Sequence, residues 1–555
     1  MQFEILTARC AKVMIVIDIL IPGHDRRIDI TAPIVERSIS PRCFGCIIID
    51  RAAIGRLGAS QDCLILLHAG SPPCLVSPKG SSLLRIRSQS GSNTDNTRFG
   101  AMKGGFPMRN MPIMRCLAPL LVLTGSLYLL DLPGLAAPPQ TPLPAHPQKR
   151  LLVIAPHPDD ESLAGVALIQ KTLREGGIVQ IAVMTNGDGF RRAAAKRFRV
   201  SHPQASDLYR LGLVRQAEEL DAIKRIGLQE QQVLFLGYPD AGLRHLWSTH
   251  WSRQTPYAGL NGYRQVPYPR SYSKGSPYSG QAVTDDLRRI LTEFHPTDLL
   301  YPDPHDVHGD HWATSAFTQY ALAGLPIQPN EWTYLIHYPQ FPKPRRYRPY
   351  RSLRPPDRLQ DVGIRWHHLP LQNEEIEQKR SAIFAHRSQV DVMKNLLSSF
   401  IRKNDLIGDS TIPELLDVGK QVELVDPMGD QSGEDAVDIR KVTFARTAEQ
   451  LRIRIDLTRA ITAQHRFTVR LRLPDAEAED PSQIEVKFEH QKLSLSNYPE
   501  LKGQIDQSIT WHSHHNQLLL QIPIYPFQKN HSLLTETEVN LGKSVDRTAW
   551  QRLYL

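Results

Sequence analysis

Leu151-Leu-Val-Ile-Ala155-Pro156-His157-Pro158-Asp159-Asp160-Glu161 is an unbroken apolar run that stops on a cluster of ionisable residues. A short continuous apolar run suits a strand buried on both faces, as in a parallel sheet. The helical spacing that follows (Leu163, Val166, Ala167, Ile169, Leu173) closes at Gly176-Gly177. The unit therefore reads as strand, polar tip, helix. The same grammar recurs downstream. Strands are expected over Val179–Met184, Val233–Leu236, Asp298–Tyr301 and Trp332–Ile336, and helices over Val214–Ile226, Val283–Phe294 and Trp312–Ala323. Alternation of this kind predicts an open, mostly parallel α/β sheet covered by helices on both faces. Ligands of such sheets sit beyond the carboxyl ends of the strands, where the polar clusters lie. No G-x-G-x-x-G follows the first strand, which argues against a dinucleotide site.

The 555 residues allow two or three domains. With 41% hydrophobic and 22% charged residues, composition excludes wholesale disorder and a polytopic membrane protein. A net charge of +9 over this length permits an anionic partner, and no zinc-finger, RNA-binding or basic-zipper pattern accompanies it, so no nucleic-acid partner is expected. All six cysteines precede residue 117, so the rest of the chain holds neither disulfides nor thiolate metal sites. Cys43-x-x-Cys46 lacks a second pair at zinc-site spacing.

Residues 1–107 alternate Ile-rich pieces with Pro, Ser, Gly and Arg and read poorly as a domain. A signal-peptide pattern begins in mid-chain. Arg109 and Arg115 precede the apolar Leu117–Leu130, and Gly134-Leu-Ala-Ala137 offers small residues for cleavage. Translation is expected to start at Met108, Met111 or Met114, leaving 1–107 as an extension outside the native protein or disordered. Residues 108–137 are expected to be a signal peptide, or alternatively a membrane anchor, so that the folded part is exported. Residues 138–149 read as a Pro-rich linker.

The chemistry is read from two polar tips. His157 and Asp160 are three apart in one turn, and His311 opens a helix beyond another strand. Two imidazoles and a carboxylate are a ligand set for catalytic Zn2+. Asp159 is the natural general base. His308, three residues before His311, is placed to stabilise an oxyanion and assist a leaving amine, with Asp310 or Asp306 holding it. Packing alone would not favour two buried charge clusters meeting in one crevice.

Pro156-His157-Pro158-Asp159-Asp160-Glu161 together with His308-Gly309-Asp310-His311 resembles the PIG-L / LmbE-like zinc-dependent de-N-acetylases, such as N-acetylglucosaminyl-phosphatidylinositol deacetylase. Arg215-x-x-Glu218, Gly237-Tyr238-Pro239-Asp240 and Lys379 through Ser388-Gln389 add to it, over about 150–406. The resemblance implies a Rossmann-like sheet and hydrolysis of an acetamide on N-acetylglucosamine units of a glycan or glycolipid. It assigns zinc ligation to His157, Asp160 and His311, base catalysis to Asp159, oxyanion stabilisation to His308 with Asp310 as partner, and substrate contact to Arg215 and Asp240. The alternatives are a helix-surface ion pair of Arg215 with Glu218 and a turn role for Asp240. A basic stretch, Phe190–Arg210, departs from the pattern and reads as an insert.

Aromatics in the loop Arg244–Gly280 could stack on sugar faces or pack the loop. Helical spacing over Glu374–Phe400 closes the catalytic domain. The period then changes to two, as in Leu451-Arg-Ile-Arg-Ile-Asp-Leu457. Residues 418–555 therefore read as a smaller antiparallel β-sandwich with one wet face. His512, His514 and His515 read as exposed strand-end histidines. Two rival functions remain: a non-catalytic carbohydrate-binding protein on the same scaffold, and a zinc hydrolase of another amide or an ester.

Overall fold

The computed structural model describes residues 148–555, apart from 411, 416–417, 434–436, 475–481, 497–508 and 528–530, and two strands nearer the amino terminus. The chain divides into two compact units, Met1–Gly134 and Leu135–Leu555. In the first, β1 (Met14–Leu20) pairs antiparallel with β2 (Arg27–Pro33), a hairpin within the stretch that reads poorly as a domain. Cys43, Cys46 and the signal-like segment 108–137 lie outside the described residues. Among the described residues no helix is long and apolar enough to cross a membrane.

In the second unit the opening run forms β3 (Arg150–Ala155), followed by β4 (Ile178–Thr185), β5 (Val233–Tyr238), β6 (Asp298–Pro302) and β7 (Asn330–Tyr334). All pair in parallel in the order β5-β4-β3-β6-β7. Alternate side chains of β3 feed two cores. Leu151, Val153 and Ala155 belong to one, Leu152 and Ile154 to the other, and this is why the run is apolar throughout.

The sheet is mixed rather than purely parallel. Two further strands, β8 (Ile364–Pro370) and β9 (Asn404–Ser410), extend it, with β9 antiparallel to both β7 and β8. The sheet thus runs past residue 406. The expected first helix is broken at Gly165 into α1 (Asp160–Ala164) and α2 (Val166–Arg174). The basic stretch Phe190–Arg210 is largely helical. It contains α3 (Arg191–Phe198) and the start of the long α4 (Ala205–Arg225). Further helices are α5 (Leu243–Ser248), α6 (Gly280–Phe294) and α7 (Gly309–Ala323). The expected closing helix is divided at His386 into α8 (Asn373–Ala385) and α9 (Arg387–Leu397).

The loop aromatics divide. Trp247, Tyr268 and Tyr278 are buried and unavailable for stacking on a sugar, while Tyr263 is exposed. His512, His514 and His515 are exposed.

The carboxyl-terminal part holds two antiparallel sheets that share one apolar core. One comprises β10 (Gln421–Val425), β11 (Ile439–Arg446), β12 (Gln450–Leu457), β16 (Thr510–His514) and β17 (Gln517–Pro523). The other comprises β13 (Arg466–Leu473), β14 (Ser482–Glu489), β15 (Lys492–Ser496), β18 (Ser532–Leu541), β19 (Ser544–Arg547) and β20 (Gln551–Tyr554).

The expected wet face of the second sheet is largely covered. Arg472, Gln483, Glu485, Glu536 and Glu538 are buried. Leu534 and Trp550 join the core of α5, α6 and α7. Arg472 Nη2 donates to the Trp247 carbonyl at 2.8 Å, and Gln319 Nε2 donates to that of Trp550 at 3.1 Å. Period-two alternation records polar residues on this face, and here they have protein partners: Arg470 Nη1 donates to Glu536 at 2.6 Å and to Glu538 at 3.0 Å.

Candidate active site

Three strand tips meet in one crevice. The β3 tip carries His157, Asp159 and Asp160, the β6 tip leads to His308 and His311, and the β5 tip carries Asp240. His157 Nδ1, Asp160 Oδ2 and His311 Nε2 form a triangle with every edge 3.3 Å. Donors about 2.0–2.1 Å from a tetrahedral ion stand about 3.3–3.4 Å apart, so the three residues fit a zinc ion. Their chemistry agrees: two imidazole nitrogens and one carboxylate oxygen converge, all three residues being buried.

The other ring nitrogens face acids, as metal-ligating histidines require. His157 Nε2 lies 3.2 Å from Asp240 Oδ1 and 3.3 Å from Asp310 Oδ2. His311 Nδ1 lies 3.2 Å from Asp306 Oδ2. Burial opposes charge on His311, but Asp160 and Asp306 outweigh it and raise its pKa to about 9. Burial likewise opposes ionisation of Asp160, yet His311 and His157 hold it well below the carboxylate range.

Asp159 stands beside the triangle. Its backbone has φ 131°, a region costly for a residue with a Cβ. Arg215 of α4 secures this turn. Its Nη2 donates to the Pro158 carbonyl at 2.6 Å and lies 3.3 Å from Asp159 Oδ2, and its Nη1 donates to the Gly187 carbonyl at 3.1 Å. A Cβ on Gly187, whose φ is +60°, would come within 1.9 Å of that nitrogen, so the close approach requires glycine. Burial pushes the Asp159 carboxyl up to about 7, against the pull of Arg215 and with a push from Asp160.

His308 caps α7, its Nδ1 accepting the Asp310 backbone N–H at 3.3 Å. In the neutral ring this puts the proton on Nε2. Burial, then the charges of His157 and His311, lower its pKa. The ring sits edge-on to His157, centroids 4.9 Å apart.

Three expected roles change place. The Asp310 carboxylate is not on His308. It accepts the N–H groups of Ala241 (2.7 Å) and Leu243 (3.0 Å) and faces His157. Arg215 is buried and committed to the Asp159 turn, while Glu218 instead binds Ser388. Asp240 faces His157 and accepts the Gly189 N–H at 2.7 Å. Arg215 and Asp240 are thus bonded within the site wall.

Sequence reasoning missed His337. Its ring centroid is 4.7 Å from that of His311 and 4.9 Å from that of His308. The signal was its place just past the tip of β7, where the other polar clusters also lie. Asp306 was weighed only for His308. It accepts that residue's backbone N–H at 3.0 Å, but it also faces His311.

The fold and site define an α/β protein with two histidines and an aspartate at its strand tips whose donor atoms could hold a metal ion. Residues 152–322 match the family described as PIG-L: GlcNAc-PI de-N-acetylase. The chain carries a PIG-L domain, of the LmbE-like de-N-acetylase family, over those residues, which supports hydrolytic de-N-acetylation as its chemistry. A curated relative is the probable N-acetyl-alpha-D-glucosaminyl L-malate deacetylase 2 of Bacillus cereus. It is 24% identical over 264 residues, spanning 46% of this chain and 91% of the relative. Similar solved structures include the N,N'-diacetylchitobiose deacetylase from Pyrococcus horikoshii, at 19% identity, 45% of this chain, 75% of that chain and TM-score 0.28. A deacetylase of teicoplanin biosynthesis matches at 17% identity, 47% of this chain, 97% of that chain and TM-score 0.31.

Proposed function

We propose that this protein is an exported, zinc-dependent hydrolase that removes the acetyl group from N-acetylglucosamine units of a glycan or glycolipid. The observation that carries the reading is the 3.3 Å triangle of His157, Asp160 and His311 with Asp159 beside it. Zinc held there would supply Lewis acidity, polarising a carbonyl and acidifying water.

This chain's residues supply the rest. Asp159 as carboxylate takes the proton of the attacking water. Attack on the acetamide carbon forms a C–O bond and puts negative charge on the former carbonyl oxygen. His308 Nε2–H donates a hydrogen bond to that oxygen. A lowered pKa suits His308 to this donation rather than to delivering a full proton. The proton gathered by Asp159 therefore goes to the departing nitrogen as the C–N bond breaks. Acetate and a free amine result. Arg215 and the Gly187 carbonyl position Asp159, while Asp306, Asp310 and Asp240 orient the ligand histidines.

Export rests on the signal-like segment 108–137 and on the lack of cysteine after residue 116. Retention of that segment would leave the enzyme membrane-associated. The substrate class is tested by acetate release from N-acetylglucosamine oligomers, peptidoglycan fragments and glycolipids. Release from one class that is abolished by chelation and restored by zinc supports the reading. Release only from O-acetylated sugars contradicts it.

A further inference from the structure

A second acid cluster lies in the carboxyl-terminal sheets, apart from the active site. Asp426 follows β10, Asp430 stands in the next turn, and Asp546 lies on β19. Their carboxylate oxygens lie within 4.8 Å of one another. Chain pairing builds the juxtaposition. Ser432 and Val545 exchange backbone hydrogen bonds of 2.9 and 3.0 Å, which sets the 430–432 segment along β19. Asp438 adds a fourth charge, its Oδ1 accepting the Gly429 N–H at 3.0 Å.

Asp426 is only 2% exposed and Asp546 only 3%. Asp546 Oδ2 accepts the Ile439 N–H at 2.6 Å. Asp426 Oδ2, by contrast, is buried without a hydrogen-bond partner. So are Gln431 Oε1, next in sequence to Asp430, and Ser544 Oγ, on the same strand as Asp546. The unpartnered Asp426 Oδ2 therefore belongs to a buried side chain of the acid cluster itself. Burial, reinforced by Asp430, Asp546 and Asp438, drives the Asp426 carboxyl well above its ordinary range, with no cation among the described residues opposing it. Arg358, which donates to the Gly429 carbonyl, and His305 act on Asp430 at the rim. Burying carboxylates without a counter-charge is costly unless they keep their protons or share a cation.

We propose that Asp426, Asp430 and Asp546 bind a calcium ion. An all-oxygen donor set favours a hard cation, in contrast to the imidazole-bearing zinc triangle. Calcium takes six to eight oxygen ligands in flexible geometry, water among them, and the exposed Asp430 opens the cluster to solvent on one side. The ion would tie this turn to β19. Through the Arg358–Gly429 bond it would also brace the turn against the catalytic sheet's side of the molecule.

The test is calorimetric titration of calcium chloride into the chelator-treated full chain, with melting temperatures read in parallel. One calcium per chain and a raised melting temperature are expected. Asp426→Asn should abolish both responses, and the surface variant Asp430→Asn should weaken binding at least about tenfold. Asp160→Asn, which disrupts the zinc triangle, should retain both. If Asp426→Asn does not fold, Asp430→Asn decides. No heat and no stabilisation at millimolar calcium would overturn the proposal. So would a response that Asp160→Asn removes and Asp430→Asn leaves intact.

Discussion

Arg215 Nη2 bonds the Pro158 carbonyl at 2.6 Å and lies 3.3 Å from Asp159 Oδ2, so one guanidinium fixes both the backbone and the charge of the catalytic turn. The consequence is a pH signature. Asp159 works as a base only when deprotonated, and burial raises its pKa to about 7. kcat/KM should therefore fall as pH drops through that value. Arg215→Met removes the influence that favours the carboxylate, so the acidic limb should move to higher pH. Profiles over about pH 5 to 9 check this, and a limb that stays in place contradicts the positioning role.

Asp306 faces His311 from behind and accepts the backbone N–H groups of Ile336 (3.1 Å) and His337 (2.9 Å). Partners of this kind are worth about 10–100-fold in metal affinity. Asp306→Asn should lower zinc affinity by that order, measured by competition with a chromogenic chelator. Unchanged affinity would assign Asp306 to the loop alone.

Lys379 and Asp405 form a fully buried ion pair between α8 and β9. Lys379 Nζ also donates to the Leu163 carbonyl at 2.7 Å, and Asp405 Oδ2 accepts the Ala167 N–H at 2.7 Å. The pair thus pins α1 and α2, which follow the catalytic turn. Lys379→Met should cost about 3–5 kcal/mol by stranding a buried carboxylate. Adding Asp405→Leu should recover part of the loss in denaturant melts.

Trp550 is buried in the core of α5, α6 and α7, although it lies between β19 and β20. Trp550→Ala should cost about 3–5 kcal/mol and destabilise the catalytic domain together with the sheets. A single shifted unfolding transition is expected. Unfolding of the sheets alone, with the catalytic transition unmoved, would contradict this.

The parallel strands were legible because burial on both faces leaves an unbroken apolar run, and the convergence of His157, Asp160 and His311 was legible because polar residues interrupt that run only at the tips. The β8–β9 edge was not. Arg365, His368 and Pro370 are its exposed positions, and Asn404-Asp405 opens β9 like a loop. Its acids serve buried partners that lie far away in sequence, such as Lys379 and the Ala167 N–H. The covered polar face escaped for a related reason. Period two separates polar from apolar positions, but it does not say whether Arg472 meets water or, as here, the Trp247 ring 3.9 Å from its guanidinium carbon. The roles of Asp310 and Asp306 depend on which histidine nitrogen each faces, a matter of three-dimensional placement that spacing along α7 does not fix.

The most direct measurement is acetate release by zinc-loaded wild type and Asp159→Asn, with bound zinc quantified in both. The account predicts acetate from an N-acetylglucosamine substrate in the wild type. It predicts stoichiometric zinc in both proteins and loss of turnover by at least about a hundredfold in the variant. Full turnover in Asp159→Asn, or a folded wild type with bound zinc and no acetate from any N-acetylated sugar, would contradict it.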